Sequence, residues 1–449
     1  MANNKLIIGI SGIRGTINLL NDEVICKIAK ATIKTLKAGK NKTFILARDS
    51  RMSGERFVNV LAGAIRDCGM NVKSLGILPT PAALWAVKKL AALGGIIVTA
   101  SHNPSEYNGF KLVNSKGLFF DTDEGETFLK YYNKLKNCKT PLYTLNPVDD
   151  LNDIHKNYIG CISKLSDRNL LFEEMVVADV NRGAGAVLTP RLLDTLGVKY
   201  VLMGGKPDGN FEHIPEPLPE NLASLGQRVK KEHAAIGFAQ DPDADRLAIV
   251  DENGTPIGED WTLGLCLLNY LDKNPGPVVV NLSTSRIIDD IAAKFNCPVF
   301  RTKIGELHVS KKMMEIGATI GGEGNGGVIL PLQHYCRDSF VAITLVLDYL
   351  AHQKKKVSEI ISCWTKYYMV KEKIMVDRNN LATWFENIKS RFDGRGVVST
   401  LDGLKISWDD SWIHIRPSNT EPVVRIIAEA PSLIGAKKLC RNVSDTLNM

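Results

Sequence analysis

Three stretches of the chain repeat one order of apolar and polar positions: a short apolar run, a polar or glycine-rich loop, an amphipathic stretch and a second apolar run. They are Thr43 to Leu78 (opening T-F-I-L-A-R-D-S-R-M-S-G), Met175 to Met203 (M-V-V-A-D-V-N-R-G-A-G) and Val278 to Thr302 (V-V-V-N-L-S-T-S). Short β-branched runs predict buried strands, and apolar residues at helical spacing predict helices. Each stretch therefore reads as a strand–helix–strand unit long enough to join parallel strands. Three units spaced about a hundred residues apart predict three similar α/β domains.

From Met369 the pattern changes. Strand-like M-V-K-E-K-I-M-V precedes a helical stretch near Leu381 to Phe392, then D-G-L-K-I-S-W, S-W-I-H-I-R-P and V-V-R-I-I-A-E-A alternate as strands before a last helix. Strands in succession flanked by helices predict a smaller α+β layer. Polar stretches at Asn146 to Asn152 and Asn253 to Asp260 suggest linkers. The expected domains are residues 1–148, 149–253 and 254–368, all α/β, and 369–449, α+β.

A length of 449 residues fits this division, being too long for one core. The net charge of +7 comes without a long Lys/Arg block, and Lys354 to Lys356 follow a helix end where cations are favoured anyway. Small anionic substrates are expected, and nucleic acid is not. Nine cysteines without a C-x-x-C pair read as reduced thiols of a cytoplasmic protein. The N-terminal M-A-N-N-K-L-I-I-G lacks the apolar core of a signal peptide. The longest apolar stretch, Phe340 to Leu350, contains Asp348 and is too short to span a bilayer, so no membrane partner is expected.

Five stretches carry candidate chemistry. In G-G-I-I-V-T-A-S-H-N-P-S-E-Y-N-G-F-K (Gly94 to Lys111) an apolar run ends at His-Asn-Pro, which presents Ser101 at a strand end. Catalytic groups of open α/β sheets collect there, although Ser and Asn also cap ordinary turns. Asp241-Pro-Asp-Ala-Asp-Arg246 converges three hard oxygen ligands on one divalent cation. An EF-hand would use Glu252 as its twelfth-position ligand, but Arg246 stands where that loop needs glycine, and Pro242 intrudes. Gly322-Glu-Gly-Asn-Gly-Gly327 formally matches G-x-G-x-x-G, yet V-I-L-P follows instead of a helix. Its glycines admit a ligand while Glu323 and Asn325 reach hydroxyls; the plain alternative is a tight hairpin. Arg416-Pro-Ser-Asn-Thr-Glu-Pro422, with Arg425, supplies donors for a phosphate. Ser11-Gly-Ile-Arg-Gly15 offers Arg14 in a flexible loop, and Arg48-Asp49-Ser50-Arg51 reads as a turn without chemistry.

In this order, S-G-I-R-G, T-A-S-H-N-P, D-P-D-A-D-R, G-E-G-N-G-G and R-P-S-N-T-E-P resemble the α-D-phosphohexomutase superfamily over nearly the whole chain. The resemblance implies four domains around a central cleft, the last a mobile lid, and a mutase that moves a phosphoryl group between O6 and O1 of a sugar. It implies Ser101 as phosphoserine, Lys111 as general acid/base with His102 and Arg14 nearby, and a Mg²⁺ held by Ser101, Asp241, Asp243 and Asp245. Arg246, Glu323, Asn325, Arg416, Ser418, Asn419, Thr420 and Arg425 would bind substrate. One Mg²⁺ per chain, a hexose 1,6-bisphosphate activator and a monomer or homodimer are implied as well. A base at Lys111 requires a lowered pKa, expected from crowding by Arg14 and Arg246. Phosphoglucosamine mutase is the expected branch, with phosphomannomutase or phosphoglucomutase as alternative; Ile10 and Cys336 depart from the usual pattern. Readings of another class are a non-catalytic sugar-phosphate-binding relative and a Ca²⁺ module built on Asp241 to Glu252.

Overall fold

The computed structural model describes all residues except 1–5, 10–11, 38, 40, 140–142, 144–150, 167–171, 376–380, 392–395, 418–422 and 446–449, and only the backbone of 381–383 and 391. The three predicted units fold as parallel strand pairs: Thr43–Arg48 with Asn71–Ile77, Val176–Asp179 with Tyr200–Met203, and Val278–Asn281 with Val299–Thr302. A helix joins each pair: Gly54–Asp67, Gly185–Thr195 and Ile287–Lys294.

Each unit gains two further strands in the same way. A third strand lies parallel to the first: Gly94–Val98, Ile236–Gln240 and Ile320–Glu323. A fourth pairs antiparallel with the third: Tyr107–Asn114, Leu247–Asp251 and Gly327–Ile329. The order fourth–third–first–second thus recurs in three sheets. The central strands are buried on both faces, as strands covered by helices must be; Ile96, Ile97 and Val98 are at most 2% exposed.

The first sheet carries an extra edge. Gly12–Thr16 pairs with Tyr107–Asn114, so Arg14 lies on a strand and not in the flexible loop expected from sequence. Glycine permits this pairing, since a Cβ on Gly12 would sit 2.4 Å from the Phe110 carbonyl oxygen.

The fourth sheet is antiparallel throughout, in the order Tyr368–Met375, Val423–Ala430, Trp412–Pro417, Leu404–Ser407 and Val397–Ser399, with helices Leu381–Arg391 and Leu433–Ser444. The fold is therefore three α/β layers plus a smaller α+β layer. Ahead of the fourth sheet a short helix spans Val357–Ser362, and Tyr368 opens the edge strand.

One core runs through the first three layers, from helix Thr80–Lys89 through Leu151–Ile162 to Ser339–Gln353. The fourth layer meets the third through polar contacts: Lys405 Nζ donates to the Leu282 carbonyl (2.5 Å), Arg286 N to Glu429 Oε1 (2.9 Å) and Ile304 N to Asp402 Oδ2 (3.0 Å), and Ser283 Oγ pairs with His414 Nδ1 (2.8 Å). Among the described residues no helix is long and apolar enough to cross a membrane, and all nine cysteines are free thiols.

Candidate active site

The connection from third to fourth strand carries the singled-out residues in all three α/β sheets. Ser101 lies between Gly94–Val98 and Tyr107–Asn114, the three aspartates lie between Ile236–Gln240 and Leu247–Asp251, and Asn325 lies between Ile320–Glu323 and Gly327–Ile329. The third motif is thus a hairpin, and it presents its polar pair as well. Its Gly326, at φ 81°, presses on the strand leaving the aspartates: Leu247 N donates to Gly326 O (3.0 Å), and a Cβ there would meet Leu247 O at 2.2 Å.

Ser101 and the aspartates come together. Ser101 Oγ donates to Asp241 Oδ2 at 2.9 Å and lies 3.3 Å from His102 Nδ1. Ser101 is 8% exposed and adopts φ 50°, a left-handed conformation uncommon outside glycine. Its surroundings enforce that conformation. Thr99 Oγ1 accepts from Ser101 N (2.9 Å), and buried Arg51 donates to the carbonyls of Ser101 (2.7 Å), Asn103 (2.5 Å), Pro104 (2.6 Å) and Tyr107 (3.0 Å). Asp49 steadies both, accepting from Thr99 Oγ1 (2.7 Å) and Arg51 Nε (3.1 Å). The stretch dismissed as a turn is therefore the frame of the serine loop.

The oxygens of Asp241, Asp243 and Asp245 lie within 4.8 Å of one another, and all three residues are fully buried. Asp243 Oδ1 and Asp245 Oδ1 have no hydrogen-bond partner, a costly condition for buried carboxylate oxygens. The carboxylates of Asp241, Asp243, Asp245, Glu306 and Glu323 outnumber the cations facing them, Lys111, Arg246 and Arg337, and Arg246 is shared with Glu216 as well. Burial, then the neighbouring Asp245 and Asp243, push the Asp241 carboxyl well above the usual carboxylate range. Hard oxygens, two orphaned acceptors and this excess charge fit a divalent cation. Glu252 pairs instead with Ser358, so the EF-hand's twelfth ligand is missing.

Profiles described as phosphoglucomutase/phosphomannomutase alpha/beta/alpha domains I, II and III match residues 5–138, 156–254 and 259–367, and the C-terminal domain of that family matches 372–445. The chain is 36% identical to a phosphoglucomutase/phosphomannomutase of Thermococcus kodakarensis, with 95% of each chain covered. It belongs to the α-D-phosphohexomutase superfamily. It is also 34% identical to a probable phosphoglucosamine mutase of Methanosphaera stadtmanae, with 94% of each covered. The crystal structure of a phosphoglucomutase/phosphomannomutase family protein from Burkholderia thailandensis superposes with a TM-score of 0.86 at 28% identity, covering 100% of this chain and 98% of that one. The chain is thus a phosphohexomutase, an isomerase of the intramolecular phosphotransferase class, in a family that is generally Mg²⁺-dependent.

In this phosphohexomutase Lys111 reaches the aspartates directly, with Nζ 2.7 Å from Asp243 Oδ2 and 2.9 Å from Asp245 Oδ2. Burial alone would lower the ammonium's pKa, but Asp243 and Asp245 outweigh it and the net shift is upward. The expected lowering by Arg14 and Arg246 is thus reversed in this arrangement, because the amine sits between two carboxylates; a unit charge at about 4 Å is worth roughly 4 kcal/mol in such surroundings. Arg14 lies opposite Gly109, two residues from Lys111 on the same strand. His102 is pushed down to about 2 by burial and the nearby Arg246 and Arg14, so its ring is neutral.

Glu323 is 4% exposed and already holds three donors: Asn281 Nδ2 (3.0 Å) and Gly305 N (3.0 Å) on Oε1, and Arg337 Nη1 (3.1 Å) on Oε2. About one acceptor position remains for a ligand. Asn325 Oδ1 is buried without a partner. In the fourth layer Arg416 stands directly opposite Arg425 and donates to Asp402 Oδ1 (3.1 Å). Ser418, Asn419 and Thr420 lie outside the described residues. Sequence reasoning missed Asp49, Arg51, Arg337, Glu306 and Asp402; only the R-D-S-R and H-Y-C-R-D clusters of charge gave any sign of the first three.

Proposed function

We propose that this phosphohexomutase interconverts glucosamine 6-phosphate and glucosamine 1-phosphate through a phosphoserine at Ser101 and a 1,6-bisphosphate intermediate. The observation that carries the reading is the approach of Ser101 Oγ to Asp241 (2.9 Å) with Lys111 on Asp243 (2.7 Å), three parts of the chain meeting at one point. In the forward step the bond from phosphorus to Ser101 Oγ breaks and a bond from phosphorus to the sugar's free hydroxyl oxygen forms. The hydroxyl's proton ends on Oγ. Lys111, an ammonium here, donates to the departing oxygen and takes up the proton released by the hydroxyl. The bisphosphate then turns over, and Ser101 takes back the other phosphoryl group.

Asp241, Asp243 and Asp245, with the phosphoserine, would hold one Mg²⁺, which when bound neutralises charge on the transferring phosphoryl group. Neutral His102 orients Oγ. Arg14 and Arg246 add positive charge beside it. Glu323 and Asn325 read ring hydroxyls, while Arg416, Arg425, Ser418, Asn419 and Thr420 hold the distal phosphate. A hexose 1,6-bisphosphate recharges the serine when the intermediate escapes. We place the domain boundaries after residues 148, 253 and 368. Free thiols and modest charge support action in the cytoplasm on small sugar phosphates.

The likeness to the Thermococcus phosphoglucomutase/phosphomannomutase favours a second reading, in which glucose or mannose phosphates are preferred. Steady-state kinetics with glucosamine, glucose and mannose 6-phosphates, each with its 1,6-bisphosphate, separates the two. The highest kcat/KM is expected for glucosamine 6-phosphate, and Ser101→Ala is expected to lose on the order of a thousandfold or more in kcat. Equal rates for all three sugars would refute the substrate assignment, and an active Ser101→Ala would refute the mechanism.

A further inference from the structure

Arg337 forms a β-bridge with Ile329 just before helix Ser339–Gln353, outside the five candidate stretches, yet it touches two of them. Its side chain is 8% exposed. Nη2 donates to Asp245 Oδ2 at 2.8 Å and Nη1 to Glu323 Oε2 at 3.1 Å, so one guanidinium bridges the aspartate loop and the hydroxyl-reading hairpin. Glu306 grips it from behind: Oε1 accepts from Arg337 N (2.7 Å), and Oε2 lies 3.2 Å from Nε. Nε makes no hydrogen bond in this arrangement, so the planar fork is hydrogen-bonded to two carboxylates and ion-paired with a third, which leaves it little freedom to turn. Gly327 makes room for it, because a Cβ there would sit 2.2 Å from Arg337 Cδ.

We propose that Arg337, clamped by Glu306, is a positioning residue that fixes the carboxylate of Glu323 toward the sugar and, through its charge, restrains the cation affinity of the aspartate loop. The proposal rests on the mutase reading for the role of Glu323. Its two halves separate chemically. Orientation of Glu323 needs the fork, whereas the effect on Asp245 needs only a positive charge.

The test is calorimetric titration of the full chain, with MgCl₂ alone and with glucosamine 6-phosphate. Arg337→Gln removes a charge adjacent to Asp245 and is expected to bind Mg²⁺ about tenfold more tightly than wild type. Arg337→Lys keeps the charge and loses the fork. Its Mg²⁺ affinity is expected within about threefold of wild type, with glucosamine 6-phosphate bound about tenfold more weakly. A folded Arg337→Gln that binds Mg²⁺ no more tightly than wild type overturns the charge half. An Arg337→Lys that binds the sugar phosphate as wild type does overturns the orientation half. Should Arg337→Gln not fold, Glu306→Gln replaces it: with one partner gone the guanidinium bears harder on Asp245, and Mg²⁺ affinity is expected to fall about threefold, an unchanged affinity being contrary. A wild-type chain that neither binds nor turns over any hexose phosphate refutes the mutase reading, while the MgCl₂ titration still decides the charge half.

Discussion

Arg51 donates to the four carbonyls that shape the Ser101 loop and to Asp49, so it controls where Oγ stands without touching the reacting atoms. Lysine carries the same charge but has one ammonium where arginine has a five-donor fork. Arg51→Lys is expected to lower kcat about a hundredfold, the usual cost of misplacing a reacting group by about 1 Å, with KM changed less than about threefold. Steady-state kinetics checks this; a rise in KM with kcat intact would show that the loop positions substrate instead of serine. R-D-S-R signalled only a cluster of charge, because the four carbonyls it frames lie 50 to 56 residues further on. The reversed shift of Lys111 has the same origin. The family resemblance pointed to crowding by Arg14 and Arg246, whereas the fold delivers Asp243, from 132 positions away, to 2.7 Å.

At the level of elements, strands and helices were readable because burial writes itself into local pattern: β-branched runs for the central strands, helical spacing for the crossovers. The strand Gly12–Thr16 was not, since two glycines hide its period and its stability comes from pairing with Tyr107–Asn114 on one side and Ile7–Gly9 on the other. The contact between the third and fourth layers is likewise made by isolated polar residues. Lys405 is 4% exposed there, and burial, then Arg301, push its ammonium down from 10.5 to about 6. With the folded pKa below the unfolded one, the unfolded chain binds more protons between about pH 6 and 10.5, so this residue's contribution to stability rises with pH across that window. Lys405→Met removes the titration and with it the penalty. Its melting temperature minus that of wild type is therefore expected to fall between pH 7 and pH 9.5. A difference independent of pH would mean that Lys405 does not titrate in that window.

On the scale of the whole molecule, the recurring strand order explains why the motifs meet. Each α/β sheet exposes the connection from its third to its fourth strand, and the shared core from Thr80–Lys89 to Ser339–Gln353 holds those connections against one another. Helix Thr80–Lys89 is part of the joint, with Thr80 donating from N to Asp243 O (2.9 Å) and from Oγ1 to Asp243 Oδ2 (2.6 Å). The three repeats were visible in the sequence as pattern, but their common strand order was not, since pairing between distant segments leaves no local trace. Ser101 links all of this to chemistry. The most direct test is peptide mass spectrometry of the chain after incubation with a hexose 1,6-bisphosphate and Mg²⁺, then after addition of glucosamine 6-phosphate. A single phosphoryl group on Ser101, discharged as the sugar bisphosphate forms, is predicted; a chain that turns over sugar phosphate with Ser101 never phosphorylated would contradict the account.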